Sequence, residues 1–460
     1  MRLFSEKQGG LQVRTKGTKN KGRKGLSLLL VMCMVLSLLP VTAMAAEQNC
    51  TGDHTGWRKL SRNVSSLDGG EYVLTGDVEV QDDIFIDSEV TLCLSGHTMD
   101  LNGHNIIING DAETEASLAL HNCAGSGSIT GGNGGTTRPD RYGGAVYVGA
   151  RATFSMYGGA ITQNTASNGG GVYVASGTFN MYGGSITKNK TDEEIGSDGG
   201  GVYVSIGGSF NMHGGLIAEN QAYSNGGGIC TDGGGTFSMY GGTITQNTAY
   251  YGGGVYVGGA ANKEITSSMS GSAKITGNTA DYGGGAYVTS SGNFSMSGST
   301  EIVRNTAYSN GGGLFMNGTA FTVSGNVKVT GNGKSTADGT GNNVRLAGSG
   351  KTVTIGDGGL QDGAEIGVNM LQAGVFTSGG GEAYEGYFYS DSFHHVIVKE
   401  SDELKLEGVD AHPHSHTLSG EGVVEAFLPL STFTQQLNEG SYYLARDIAM
   451  EGDEGQITVS

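Results

Sequence analysis

Proline is scarce in this chain, with 4 residues among 460, and charged side chains make up only 15% of it. The 85 glycines follow no strict third-residue period, which excludes a collagen-like rod. Hydrophobic residues at 37% exclude a disordered polyampholyte. Basic side chains are few as well: 26 Lys and Arg stand against 44 Asp and Glu, a net charge of −18. Eight of the basic residues crowd into the first 46 positions beside one acidic residue, leaving 18 basic against 43 acidic, or −25, beyond them. Phosphate binding needs clustered Lys and Arg, so nucleic acid is excluded as a partner. The apolar run from Leu26 to Leu39 is short for a membrane span of ~20 residues.

That run follows Arg14, Lys16, Lys19, Lys21, Arg23 and Lys24 and precedes Ala43-Met44-Ala45. A basic segment, an apolar core and a small-x-small site predict a secretory signal peptide over 1–45, cleaved near Ala45. The expected location is extracellular, secreted or on the cell surface, with membrane contact only through the signal or a C-terminal anchor. Besides Cys33 inside the apolar run, the chain holds Cys50, Cys93, Cys123 and Cys230. Export permits disulfides, and neighbouring coils could bring Cys93 and Cys123 together; burial as small apolar residues is the alternative. No pair has metal-ligand spacing, so no metal and no cofactor are expected.

What the chain has in abundance is repetition. From Tyr142 to Asn332 one phrase recurs seven times, as in Gly235 to Val257, GTFSMYGGTITQNTAYYGGGVYV. Its beat is an apolar residue three places before an asparagine: Ile161/Asn164, Ile186/Asn189, Ile217/Asn220, Ile244/Asn247, Ile275/Asn278, Ile302/Asn305 and Val329/Asn332. The asparagines are separated by 25, 31, 27, 31, 27 and 27 residues. Periods of this size mark solenoids, whose units bury their apolar faces only by stacking. Each unit holds three apolar alternations, as at Val172-Tyr173-Val174, Phe179-Asn180-Met181 and Ile186. The fold class is therefore all-β, a parallel β-helix with three short strands per coil of about 27 residues. Asparagines at one corner of every coil should form a ladder, each amide donating to one neighbour and accepting from the other. With Val172 and Val174 inward, Tyr173 points outward. Its copies Tyr147, Tyr203, Tyr256 and Tyr287, with Phe315, make an outward column broken at Cys230, and Tyr157, Tyr182, His213 and Tyr240 make another.

The flanks read as a lead segment (46–66), N-terminal coils (67–141), the array (142–332), C-terminal coils (333–408), a linker (409–429) and a second solenoid that begins at 430 and runs to 460. That second start rests on Leu430-Ser431, Leu437, Gly440, Tyr442, Leu444 and Asp447, which repeat Leu60-Ser61, Leu67, Gly70, Tyr72, Leu74 and Asp77 at a shift of 370 residues. The chain is thus expected to be part of a longer product. No helix is expected. His97 and His104 each follow a glycine and read as corner residues bonded to the backbone. The acidic stretch Asp192, Glu193, Glu194 and Asp198 reads as a solvated turn rather than a calcium loop, and His412, His414 and His416 as adventitious metal binders at most.

The phrase Ile-x-x-Asn-Thr-Ala followed by Gly-Gly-Gly-x-Tyr, from Ile244 to Tyr256, resembles the repeats of right-handed parallel β-helix surface proteins. It is similar to the Gly-Gly-Ala-Ile and Phe-x-x-Asn repeats of chlamydial polymorphic outer membrane proteins, with Gly143-Gly144-Ala145-Val146 the nearest match. The resemblance implies a right-handed coil and a secreted or surface-exposed adhesin-like protein, non-catalytic, that binds an extracellular glycan or a host or neighbouring-cell protein. Tyr147, Tyr173, Tyr203, Tyr256 and Tyr287 are its candidate ligand contacts. A polysaccharide lyase or hydrolase would need clustered carboxylates beside a base. Arg151, Lys188, Glu219, Asp232, Lys263, Glu264, Asp281, Glu301 and Arg304 are scattered instead, and no catalytic residue is assigned. A passive spacer is the remaining alternative.

Overall fold

The computed structural model describes residues 52–61, 64, 66–134, 142–193, 196–259, 267–333, 342–392 and 395–408, and the backbone alone at 265–266, 334, 428–430 and 442–444. Contacts divide the chain into Met1–Gln48 and Asn49–Ser460, and every described residue belongs to the second unit. The expected signal peptide, Cys50, Glu194, Lys263, Glu264 and the histidines at 412, 414 and 416 lie outside the described residues.

The unit is a parallel β-solenoid of about ten turns. Strands pair with their own copies one coil away, so like residues stack on like. Phe154, Phe179, Phe210 and Phe237 follow one another in register. The same holds for Val146, Val172, Val202, Ile229 and Val255 and for Ile161, Ile186, Ile217, Ile244, Ile275 and Ile302. All of these side chains are buried. Period-2 alternation forces that result: with one face of each strand turned inward, a one-residue slip would expose the whole apolar set. The phenylalanine strands belong to one sheet of 13 strands, and the two other sides of each coil together form a sheet of 22.

A fourth strand position follows each ladder asparagine, beyond the three expected. It comprises Thr165–Ala166, Lys190–Thr191, Thr248–Tyr251, Thr279–Tyr282, Thr306–Asn310 and Gly333–Lys334, and Gln221 bridges Lys190 to Thr248 where no strand is formed. Its small residues Ala166, Thr191, Ala222, Ala249, Ala280 and Ala307 are buried. Strands of two to five residues with so little alternation are too short to register in sequence.

The glycine triplets divide their labour. Gly252 has φ +66, which L side chains rarely adopt, and turns the chain. Gly253 and Gly254 lie directly on the next coil's triplet, donating to Gly283 O and Gly284 O at 3.1 Å. A Cβ on Gly253 would overlap the carbonyl oxygen of Thr279.

The ends depart from the repeat. Arg58–Leu60 pairs with Tyr72–Leu74 at the start. At the other end His395–Glu400 and Glu403–Gly408 form an antiparallel hairpin, not further coil strands, and a short 3-10 helix, Gly381–Tyr387, stands where no helix was expected. Antiparallel pairing removes the register that another parallel rung would need. His97 and His104 also differ from expectation. Their side chains reach carboxylates, Asp77 at 3.7 Å and Asp83 at 3.3 Å, while their main-chain groups bond the backbone. Finally, Leu428–Leu430 pairs in parallel with Tyr442–Leu444, in the register of Arg58–Leu60 on Tyr72–Leu74 shifted by 370 residues.

Candidate ligand-binding face

The asparagine ladder holds the corner against which this face is built. Asn164, Asn189, Asn220, Asn247, Asn278, Asn305 and Asn332 are buried. Each donates its Nδ2 to the next Oδ1 at 2.9–3.0 Å, from Asn164 through Asn305. The same oxygen accepts the backbone N–H of the preceding ladder residue. Two members went unseen in the sequence. Asn332 donates to Asn343, which comes from the corner that glycines occupy elsewhere, and Asn343 donates to both carboxylate oxygens of Asp391, from Nδ2 and N, at 2.7 Å. Burial pushes the Asp391 carboxyl up to about 7 even though those bonds pull it down. The only textual sign of the change is Gly341-Asn342-Asn343 in place of three glycines.

The tyrosine column forms where it was expected. Tyr147, Tyr173 and Tyr203 stack with centroids 5.5 and 5.1 Å apart, and Tyr256, Tyr287 and Phe315 at 5.6 and 4.9 Å. Cys230 fills the gap and is fully buried. Stacking of this kind uses up ring faces. Tyr173 also carries Tyr142 at 4.6 Å and is only 8% exposed. Burial, more than the neighbouring Cys230 and Asp232, raises the phenols of Tyr203 and Tyr256 far above their usual range. The column therefore presents ring edges. The second column is as expected and longer by one residue: His121, Tyr157, Tyr182, His213 and Tyr240 stack at 4.7–4.9 Å. Burial lowers the affinity of His121 and His213 for protons and so favours the neutral form of these stacked rings.

Open aromatic surface lies one strand away. Three residues past the ladder asparagine stand Ser167, Asp192, Tyr223, Tyr250, Asp281 and Tyr308 on successive coils. Here Tyr223, Tyr250 and Tyr308 are 50%, 46% and 53% exposed. Tyr250 meets Tyr251 edge-on at 4.6 Å, Tyr251 stacks on Tyr282 at 5.5 Å, and Tyr251 and Tyr282 reach the first column, Tyr251 to Tyr287 at 5.0 Å and Tyr282 to Phe315 at 5.8 Å. Of the exposed rings Tyr250 thus rests on an aromatic bed, and the row is broken by Asp281 and preceded by Asp192. Tyr250 and Tyr308 lie on the fourth strand and Tyr223 just past the Gln221 bridge, and since that strand was missed, so was the row.

The scattered charges do not converge. Arg151 pairs with Glu115 at 3.6 Å, Lys188 with Glu219 at 3.8 Å and Lys274 with Glu301 at 3.0 Å, all between coils at the surface. Asp232 lies 3.4 Å from the Tyr203 hydroxyl, which donates to it. Asp198 is a buried carboxylate, not a solvated one: it accepts Asn225 N at 2.9 Å, and burial raises its pKa. Comparison with protein families, with curated proteins and with solved structures returns no match.

Proposed function

We propose that this chain is a non-catalytic, adhesin-like β-solenoid, secreted or displayed on the cell surface, that binds a glycan or protein of a host or neighbouring cell. The observation that carries the reading is the row of half-exposed tyrosines, Tyr223, Tyr250 and Tyr308, three residues past ladder asparagines in the same row as Asp192 and Asp281. Exposed aromatic faces with carboxylates in the same row suit sugar rings and their hydroxyls, because the ring supplies apolar contact and the carboxylate accepts hydrogen bonds. The basic and apolar start of the sequence supports export.

The test is binding to a glycan array and to intact cells by the protein and by Tyr223→Ser/Tyr250→Ser/Tyr308→Ser. At roughly 1 kcal/mol per lost aromatic contact, three serines weaken binding about 100-fold. The circular dichroism spectrum stays the same, since these rings lie outside the core. Serines at Tyr173, Tyr203 and Tyr256 instead disturb packing. Full binding by the Tyr223/Tyr250/Tyr308 variant, or no binding by the parent protein to any cell or glycan, overturns the proposal.

A further inference from the structure

The coil path brings together three residues that are far apart in sequence. Cys93 ends the strand Glu89–Cys93, and Cys123 follows the strand Ala116–His121 that pairs with it. Their sulfurs lie 3.2 Å apart. His54 comes from the lead segment, ahead of Arg58–Leu60, and its Nε2 lies 3.7 Å from the Cys123 sulfur. All three ligand atoms fall within 4.8 Å of one another. Cys93 is fully buried, whereas Cys123 and His54 are half-buried, so a cation has a way in.

We propose that His54, Cys93 and Cys123 bind a thiophilic cation of the zinc class. Two sulfurs and an imidazole nitrogen are the donor set of structural and open zinc sites, and they disfavour calcium and magnesium, which take oxygen. With bonds of about 2.3 Å to sulfur and 2.0 Å to nitrogen, a tetrahedral ion sets sulfur–sulfur near ~3.7 Å and sulfur–nitrogen near ~3.5 Å. The His54–Cys123 separation already lies close to that, the His54–Cys93 separation is within 4.8 Å, and the sulfurs need open by only about half an ångström. A disulfide, with a bond of about 2.05 Å, would need them to close by about twice as much, and it leaves the placement of His54 unexplained.

Local structure holds the ligands in place. The His54 turn is fixed by Trp57 N donating to His54 O at 3.1 Å and by Asp53, whose Oδ1 accepts Thr55 N at 3.0 Å. The Trp57 ring packs edge-on against the imidazole at 4.7 Å. On the other side Asn122 Oδ1 accepts Gly96 N at 2.8 Å, tying the turns that follow the two strands. Since Arg58–Leu60, Gly70–Leu74, Glu89–Cys93 and Ala116–His121 are successive neighbours in one sheet, the ion would strap the lead segment across the first coils. It would close the exposed starting edge of the solenoid, with water or an outside ligand in the fourth position.

The experiment titrates cobalt(II), a spectroscopic stand-in for zinc, into the reduced, metal-free protein. One equivalent is expected to give thiolate-to-cobalt charge-transfer absorption and the visible bands of a tetrahedral site. His54→Gln, Cys93→Ser and Cys123→Ser each weaken binding about 100-fold or more, while Cys230→Ser binds as the parent does. Zinc raises the unfolding temperature of the parent and not of His54→Gln, the variant that leaves the core untouched. Cobalt bands that persist in Cys93→Ser and Cys123→Ser, an absence of such bands in the parent, or a Cys93–Cys123 disulfide mapped in the exported protein overturns the proposal.

Discussion

Replacing Asn247 by alanine in the middle of the ladder should be among the costliest single changes in the molecule. Its Oδ1 accepts Asn220 N and Asn220 Nδ2, both at 2.9 Å, and its Nδ2 donates to Asn278 Oδ1 at 2.9 Å and to Ile217 O at 3.0 Å. Alanine removes all four bonds. Asn278 Oδ1 keeps a donor, because Asn247 N still reaches it at 2.9 Å. Asn220 fares worse: its backbone N–H and one amide hydrogen are left buried and unpaired. Two orphaned buried donors at about 1–3 kcal/mol each place the loss at roughly 2–6 kcal/mol. The measurement is urea unfolding followed by circular dichroism, with hydrogen exchange at coils on either side of the substitution. Asn247→Asp refines it, since the carboxylate keeps both acceptor roles yet turns two lone-pair sites on Asn278 Oδ1 and Ile217 O. It should be destabilised near neutral pH and recover as acid restores a donor. A loss below about 0.5 kcal/mol for Asn247→Ala would refute the idea that the ladder holds the corner.

Asp391 gives a second pH-dependent case, a buried acid whose site disfavours the carboxylate. Burial holds its pKa at about 7 against an ordinary 3.8, so the folded state binds a proton that the unfolded chain releases; this stabilisation is full below pH 3.8 and is lost as pH rises through 7. Relative to Asp391→Asn, the protein should lose roughly 4 kcal/mol between about pH 4 and pH 8, read from paired denaturant titrations. Ser267 sits in the phenylalanine column opposite Phe294 with its hydroxyl buried and unpaired among the described residues. Ser267→Ala should therefore raise stability by about 1 kcal/mol, measured as a higher urea midpoint. Gly253→Ala drives a methyl group into the carbonyl of Thr279 and should lower stability by about 2–4 kcal/mol, read from the urea midpoint, whereas Gly386→Ala, at an exposed glycine without positive φ and with open space around it, spares the packing, so comparing the two isolates the overlap.

Sequence reading recovered the solenoid because its evidence is redundant. Phe, Val and Ile recur at fixed offsets, and each buried position is stated seven times or nearly so. The ladder from Asn164 to Asn332 was legible for the same reason. What repeats only once was not: Asn343 and Asp391 terminate the ladder at unique positions, and no periodicity can point to them. The tyrosine column was placed correctly on the outward side, but the rings packed over parts of it were not foreseen, because alternation says which side of a strand a ring takes and not what else reaches that side. Tyr142 stacks on Tyr173, and Tyr251 and Tyr282 reach Tyr287 and Phe315 from short fourth strands. The His54, Cys93 and Cys123 cluster escaped for a different reason. A coil converts sequence distances of tens of residues into adjacency, so ligand spacing rules drawn from compact loops do not apply.

The ladder's one-way donation bears on how such a chain can lengthen. Along the row every amide gives one hydrogen to the asparagine on its C-terminal side, the other going back to a main-chain carbonyl, and every oxygen receives from the N-terminal side. A whole coil duplicated anywhere within it brings one donor and one acceptor, and the row closes again without a mismatch. Asp391, once ionised, can only receive. Growth by tandem duplication is therefore open upstream of that carboxylate and shut beyond it, which makes a single acidic side chain the grammatical full stop of the repeat.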